Sequence, residues 1–331
     1  MTMFAGGLDW GLGPGRRTAA IAPMALGAGF CFAYMGPFLG GTTVMMRRWN
    51  PGDFLEMVER HRLHSVFLVP THAHGIRSLG EDPAKQFDLS CLETIYFNAA
   101  ALPVPLKQWV IGAFPGVGIH EIYGSTEASV VTSLRADRAL DRAGSVGHAW
   151  FCTEVKLVDP DGNGVEVGEP GELFSRSPMV MNGYLNDATA TAAALTEDGW
   201  VTAGDIAVAD DEGFIYIIDR KKDMIISGGQ NIYPKEIENV LLQAEGVDEV
   251  AVVGVPDDEW GEHVAAFVVP APQGRRPSTT DLEGLARIHL AGFKVPRDWH
   301  FIKTLPRNAN GKVVKSLLKR PAIPSGPAPT D

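Results

Sequence analysis

Cysteine is scarce in this chain: three residues in 331, Cys31, Cys91 and Cys152, widely spaced and outside any C-x-x-C pattern. That argues against a disulfide framework and a thiolate zinc site, and it fits a reducing compartment such as the cytoplasm. Positive charge is also short. Twenty-nine Lys/Arg stand against 40 Asp/Glu, a net charge of −11, and an acidic surface attracts neither nucleic acid nor anionic membrane. An uninterrupted apolar run is missing too. Thr18 to Met46 carries no charge, but Pro23, Pro37 and five glycines break it, and only a continuous helix satisfies its own backbone in lipid. The segment therefore reads as buried strands and a helix of an α/β core, without a transmembrane span. No internal repeat is present.

What is there suffices for about two globular domains, since 45% of 331 residues are apolar and a domain takes ~150 residues. Short apolar runs at Ala19–Met24, Thr42–Met46, Ser65–Val69 and Glu93–Phe97 alternate with helical stretches such as Pro51–His61, where Phe54, Leu55 and Val58 share a face. Alternation of this kind predicts a largely parallel sheet. From about Val146 the texture becomes close-spaced strands: Glu154–Val158, Gly171–Ser175, Trp200–Thr202, Ile206–Ala209 and Phe214–Ile218, with Asp-Gly turns between several of them. That pattern predicts antiparallel, barrel-like packing. A further change follows the charged knot Asp219–Asp223. Strands at Met224–Ser227, Glu249–Val255, Val264–Val269 and Trp299–Lys303, with helices at Lys235–Glu245 behind Pro234 and near Thr280–Leu290, make a small α+β unit. The boundaries expected are 1–220, 221–320 and a disordered tail at 321–331 with four prolines.

Six pieces carry chemistry. His120–Tyr123 reads as a strand ending in Tyr123-Gly124-Ser125-Thr126-Glu127, which places backbone amides, a hydroxyl and a carboxylate where open α/β sheets bind ligands. Thr126 and Glu127 there suit a phosphate oxygen and a hard cation such as Mg²⁺. Asn98-Ala99-Ala100-Ala101 follows another strand, its small side chains able to admit a flat ring, although an ordinary turn explains it as well. Trp200 to Gly204-Asp205 leads to a carboxylate, and Asp219-Arg220 comes fourteen residues later; a carboxylate can accept both hydroxyls of a ribose, while a salt bridge is the plainer use of the charged pair. Ser227-Gly228-Gly229-Gln230-Asn231 makes room for a close-lying ligand, or is a bulged turn. Asn310-Gly311-Lys312 presents an ammonium from a turn-rich loop. Lys303, Arg307, Lys312, Lys315, Lys319 and Arg320 fall in eighteen residues without an acid, either a receiver for phosphate or a solvated face.

In this order and spacing the pieces resemble the adenylate-forming family of acyl-CoA synthetases, over nearly all of residues 21–320. The resemblance implies an α/β fold: the remainder of a large AMP-binding domain, a parallel sheet plus a barrel-like part, then the small C-terminal domain. It implies a ligase that activates a small-molecule carboxylic acid, fatty or aryl, with ATP and passes it to CoA. By resemblance Lys312 bridges the acid and the α-phosphate, Thr126 and Glu127 are catalytic, and Glu127 holds magnesium. Asn98, Ala99, Ala100, Tyr123 and Gly124 frame the adenine. Asp205 and Arg220 hold the ribose, Lys222 is the hinge, Gly228 and Gly229 border the pantetheine path, and Asn231 approaches phosphate.

Two departures qualify this. No Ser/Thr/Gly-rich loop ending in Lys precedes Tyr123, so the resemblance implies a chain without the first part of the large domain, one that binds adenylate yet fails at the first half-reaction. The aromatic-His pair usual in the family is replaced by Ala25 and Leu26; His72 and His74 could reach the substrate pocket, although a histidine without a visible partner is more often structural. An acceptor other than CoA, and a non-catalytic binder, remain as alternative readings.

Overall fold

A computed structural model describes residues 1–331 except 26, 81, 273, 308–312 and 320–331. The chain divides into two compact units, Met1–Ile217 and from Ile218 onward.

Unit 1 begins with strands β1 (Arg17–Ala20), β2 (Thr42–Met45), β3 (Ser65–Leu68), β4 (Thr94–Phe97) and β5 (Gly118–Ser125), followed by β6 (Ser129–Leu134) and β7 (His148–Ala149). They form a seven-stranded sheet in the order β2-β1-β3-β4-β5-β6-β7. β1 to β5 run parallel, and β6 and β7 add antiparallel at one edge. Helices α1 (Thr2–Asp9), α2 (Gly27–Phe38), α3 (Pro51–His61), α4 (Pro70–Arg77) and α5 (Val104–Ala113) accompany them.

Side chains alternate across a strand, and here both faces are buried. Val66 and Leu68 of β3, with Ile95 and Phe97 of β4, pack with Phe54, Leu55 and Val58 of α3 and with Leu106 and Val110 of α5. Phe67 and Tyr96, on the other face, pack with Trp10, with Phe32 and Met35 of α2, and with Trp150. This doubly covered arrangement explains the near-continuous apolar strands. α3 starts where the sequence says it should. The Asn50 side chain accepts from the amides of Gly52 (2.9 Å) and Asp53 (3.0 Å) ahead of Pro51, so two amides lacking an intrahelical partner are satisfied.

Thr18–Met46 is β1, α2 and β2, and no helix among the described residues is long and apolar enough to cross a membrane. The outer face of α2 nonetheless shows solvent Phe30, Tyr34 and Phe38.

β8 (Glu154–Val158), β9 (Gly171–Arg176), β10 (Val201–Ala209) and β11 (Ile215–Arg220) make a four-stranded sheet in the order β11-β10-β9-β8, with α6 (Ala188–Ala194) between β9 and β10. β8, β9 and β10 pair antiparallel. The two strands expected at 200–202 and 206–209 are one strand, β10, whose register slips between Thr202 and Ile206.

Unit 2 holds β12 (Ile225–Ser227), β13 (Gln230–Ile232), β14 (Val247–Asp257), β15 (Gly261–Pro270) and β16 (Asp298–Phe301), with α7 (Pro234–Leu241) and α8 (Thr279–His289). Ile237 and Leu241 of α7 and Leu282 and Ala286 of α8 pack with Val250, Val252, Val264 and Val268 of the sheet. Pro234 occupies the first turn of α7, where its missing N–H costs nothing. Much of the basic run is spent inside this unit. Arg307 pairs with Glu249, Lys315 with Glu238 at 2.7 Å and Lys319 with Glu262 at 3.7 Å, so those three cations have local acidic partners. The tail at 321–331 lies outside the described residues.

Candidate functional site

β5 ends in the most informative motif, and the local structure there is a hairpin. Ser125 pairs with Ser129, leaving Thr126-Glu127-Ala128 as a three-residue tip. Ser125 Oγ accepts from the Ala128 amide at 3.1 Å, and Ser129 supplies the left-handed residue of such a loop with φ 61°. The register shifts between Tyr123 and Gly124, a bulge that leaves Val131 of β6 as the extra residue. At Gly124 a Cβ would lie 2.0 Å from the Ser129 carbonyl oxygen, so only glycine lets the two strands close.

The hairpin joins a second motif 82 residues away: the Tyr123 hydroxyl donates to the Asp205 carboxylate at 2.6 Å. Asp205 is buried in β10. The bulge just before it is fixed by Thr202, whose hydroxyl donates to Glu172 Oε1 at 2.9 Å and accepts from the Gly204 amide at 2.9 Å. Glu127 is held from another direction. Its carbonyl accepts from the Met181 amide at 2.7 Å, and its Oε1 accepts from the Tyr184 hydroxyl at 2.8 Å. That bond to a carboxylate raises the Tyr184 phenol above its usual range. Thr126 is exposed beside the start of α2, where a Cβ on Gly27 would stand 3.5 Å from its hydroxyl.

Asn98, Ala99 and Ala100 follow β4, which pairs in parallel with β5, so they share the sheet edge with the Tyr123 motif. Asn98 is half-buried and its side-chain carbonyl accepts from the Ala99 amide; Ala99 and Ala100 are exposed. His72 does not serve a pocket. Its Nδ1 accepts from the Val69 amide at 3.3 Å, its ring stacks on Trp49 at 4.1 Å, and burial lowers its pKa to about 4. It is the neutral first-turn acceptor of α4.

In unit 2, Asp219 is turned to structure. Its carboxylate accepts from the amides of Arg220 (2.8 Å) and Lys235 (2.7 Å), the latter in the first turn of α7, where the helix favours a negative charge. Burial raises its carboxyl pKa against the pull of the Lys235 amide and the Lys315 ammonium. Lys222 is exposed in a single turn at Lys221–Asp223. Gly228 and Gly229 form the loop of the β12–β13 hairpin with φ of 55° and 78°, and Asn231 is exposed on β13. The pairing Ser227↔Gln230, Ile226↔Asn231 is regular, so this is a two-residue primed turn and the bulged alternative falls. Lys312, with Asn310 and Gly311, lies outside the described residues.

The donor set fits a magnesium ion shared with phosphate. Among the described residues no group of three or more His, Cys, Asp or Glu forms a metal cage, and Mg²⁺ commonly takes one or two carboxylates and completes its shell with water and substrate phosphates. Glu127 at an open loop tip suits that role. A cleft of about 390 Å³ in unit 1, lined by Asp9, Ser133, Arg135, His148, Trp150 and Phe214 among others, includes none of the motif residues. Sequence reading missed Tyr184, Thr202 and Glu172. Only Thr202 left a trace, as a Thr-x-Gly turn.

Comparison with known proteins identifies the family and the fold. Residues 1–185 match the model of the AMP-binding enzyme family, and residues 236–312 match the AMP-binding enzyme C-terminal domain. Two solved structures share the fold. The o-succinylbenzoate CoA synthetase of Bacillus subtilis, in complex with the acyl-adenylate intermediate, superposes with a TM-score of 0.87 at 29% identity, covering 97% of this chain and 64% of that one. The amide bond synthetase McbA of Marinactinospora thermotolerans gives 0.86 at 32% identity, covering 96% and 64%. The fold is thus that of the adenylate-forming class. Within it, the chain belongs to the AMP-binding enzyme family that includes the acyl-CoA synthetases. A feruloyl-CoA synthase from an Amycolatopsis species is 38% identical over 307 residues, 92% of this chain and 61% of that protein. A long-chain-fatty-acid–CoA ligase of Bacillus subtilis is 38% identical over 281 residues, 85% of this chain and 49% of that protein. The chain therefore spans about half to three-fifths of the length of these curated relatives.

Proposed function

We propose that this chain binds an adenylate and serves the ATP-dependent activation of a fatty or aryl carboxylic acid, with CoA as acceptor, in a cytoplasmic setting. In that reaction the carboxylate oxygen bonds to the α-phosphorus as pyrophosphate leaves; the CoA sulfur then bonds to the acyl carbon as AMP leaves and the thiol proton goes to solvent. The observation that carries the reading is the Tyr123–Asp205 hydrogen bond, because it unites two motifs that the reaction needs at one nucleoside. The Asp205 carboxylate accepts from the ribose hydroxyls and Arg220 donates to them, while Tyr123, Gly124 and Asn98-Ala99-Ala100 frame the adenine. Thr126 meets phosphate oxygen and Lys312 bridges acid and α-phosphate, an electrostatic role for developing charge. Magnesium, held by Glu127, would supply further Lewis-acid stabilisation of that charge. In this reading residues 1–220 are part of the large AMP-binding domain and 221–320 the small one, with 321–331 a tail. Lys222 is the hinge through which the small domain exchanges Lys312 for the Gly228-Gly229 loop at the pantetheine path, with Asn231 near phosphate. Names of relatives support both acid classes, feruloyl and long-chain fatty. A second acceptor reading, an amine in place of CoA, draws on the likeness to an amide bond synthetase.

The test is AMP binding by calorimetry, since AMP carries the adenine and ribose that Tyr123 and Asp205 would meet. Asp205→Ala is expected to weaken AMP binding at least about tenfold, the worth of hydrogen bonds to a charged group. No binding by the unaltered chain, or equal binding by the variant, would overturn the reading. Thioester against amide formation from a synthetic acyl-adenylate separates the two acceptors.

A further inference from the structure

Glu127 stands at the tip of a hairpin, a place where a side chain is ordinarily loose. The segment that follows β9 removes that looseness. The Met181 amide donates to the Glu127 carbonyl and the Tyr184 hydroxyl to Oε1, at 2.7 and 2.8 Å. Tyr184 is in turn anchored: its amide donates to Thr191 Oγ1 at 2.9 Å, and the Thr191 hydroxyl donates to the Asp187 carbonyl at 2.7 Å. The Asp187 side chain caps α6, accepting from the Ala190 amide at 2.8 Å. Gly183 lets the strap lie against α6, since a Cβ there would come within 2.9 Å of the Thr191 methyl. A strap built this way holds the backbone of Glu127 through the Met181 amide and its carboxylate through the Tyr184 phenol.

We infer that Tyr184 is a positioning residue that fixes the Glu127 carboxylate in the orientation from which it meets the magnesium and phosphates of the nucleotide. The inference rests on the reading of Glu127 given above. A carboxylate offers several acceptor sites over its two oxygens, so one phenol bond fixes its rotation and leaves it anionic and able to serve a hard cation. A carboxylate held beforehand loses less conformational freedom when the cation arrives, and affinity rises by that difference. Phenylalanine at 184 would keep the ring and lose the hold.

The experiment measures ATP binding to the full 331-residue chain across a Mg²⁺ series, alongside melting temperatures. For the unaltered chain Mg²⁺ should strengthen ATP binding, and Glu127→Gln should remove that dependence. Tyr184→Phe should leave Mg²⁺-free ATP binding in place while raising the half-saturating Mg²⁺ roughly tenfold, the scale of one hydrogen bond to a charged group. Thr191→Val, which frees the strap without touching the phenol, should shift it the same way by roughly threefold. Were Mg²⁺ without effect on the unaltered chain, the reading of Glu127 would fall and this inference with it. A Mg²⁺ dependence abolished in Glu127→Gln but unchanged in Tyr184→Phe would overturn this inference alone. So would a Tyr184→Phe variant whose losses are equal with and without Mg²⁺ and follow its melting temperature, since that is a structural role only.

Discussion

At Gly124 in unit 1 and at Gly228-Gly229 in unit 2, glycine occupies a motif loop for opposite reasons. Gly124 has an ordinary backbone but no room, because the Ser129 carbonyl oxygen lies 2.0 Å from where its Cβ would be. Gly229 has room, nothing within 4 Å, but a left-handed φ of 78°. Its neighbour Gly228 shares the left-handed region and would also press a Cβ to 2.7 Å from the Trp260 ring. One requirement comes from the facing strand of the same hairpin and the other from the residue's own dihedrals. The hairpin of the Tyr123 motif in unit 1 is therefore set by the packing of one strand against the next, and the hairpin of unit 2 chiefly by turn dihedrals.

The sharpest way to break that contrast is a methyl group. Gly124→Ala forces backbone against backbone, where no side chain can give way, so the cost should reach or pass the upper end of the ~1–3 kcal/mol typical of overpacking. The strands β5 and β6 must separate, and the Tyr123–Asp205 bond with them. Urea unfolding of the variant should show the lowered midpoint, and AMP binding should fall more than stability alone accounts for. A variant with wild-type stability and full AMP binding would show that the register at the bulge is soft.

The same contrast explains what could be read from the chain beforehand. α3 was legible because Asn50, Pro51 and the Phe54, Leu55, Val58 face are all local signals, and so was Pro234 opening α7; the glycines at 228 and 229 announced a turn, but as a bulge and without the strand β13 that follows. The β5–β6 hairpin carried no Gly or Asn at its left-handed position, which Ser129 fills, so its turn left no mark. β10 looked like two strands because its bulge at Ala203-Gly204 resembles a break; Thr202 and Glu172 repair it through side chains thirty residues apart. Tyr184 was invisible for the same reason, its partner lying 57 residues away. His72 sits near apolar substrate-side residues in sequence, but its role is set by Trp49 and the Val69 amide.

His72 offers a second, smaller lever on unit 1, worked by pH. Its pKa is about 4 in the folded chain because burial penalises the charged form, against about 6.5 when unfolded. As pH falls, the unfolded state takes the proton first. The stabilisation is therefore complete above pH ~6.5 and is lost as pH falls toward ~4. The two pKa values place the loss at pH 5 at about 1–2 kcal/mol after allowance for partial exposure. His72→Asn keeps an acceptor for the Val69 amide and removes the titration, so its stability should fall less between pH 7 and 5 by that amount. Parallel curves for both proteins would mean that His72 is protonated in the fold.

Unit 2 should answer least, and the two adjacent glycines grade the response. Gly229→Ala adds a methyl into open space, so the only penalty is the left-handed conformation of an L-residue, about 1 kcal/mol. Gly228→Ala carries that penalty and must also displace the Trp260 ring, whose carbonyl already accepts the Gly228 amide at 2.9 Å. Trp260 can move because it is partly exposed, so the added cost is modest. The expected order is Gly124→Ala well above Gly228→Ala, and Gly228→Ala above Gly229→Ala, with tryptophan fluorescence altered in Gly228→Ala and unchanged in Gly229→Ala. Equal losses at 228 and 229 would show that dihedral strain alone sets the price and that the Trp260 contact adds nothing. A loss at Gly229 approaching that at Gly124 would remove the distinction between a turn made locally and a site made by packing.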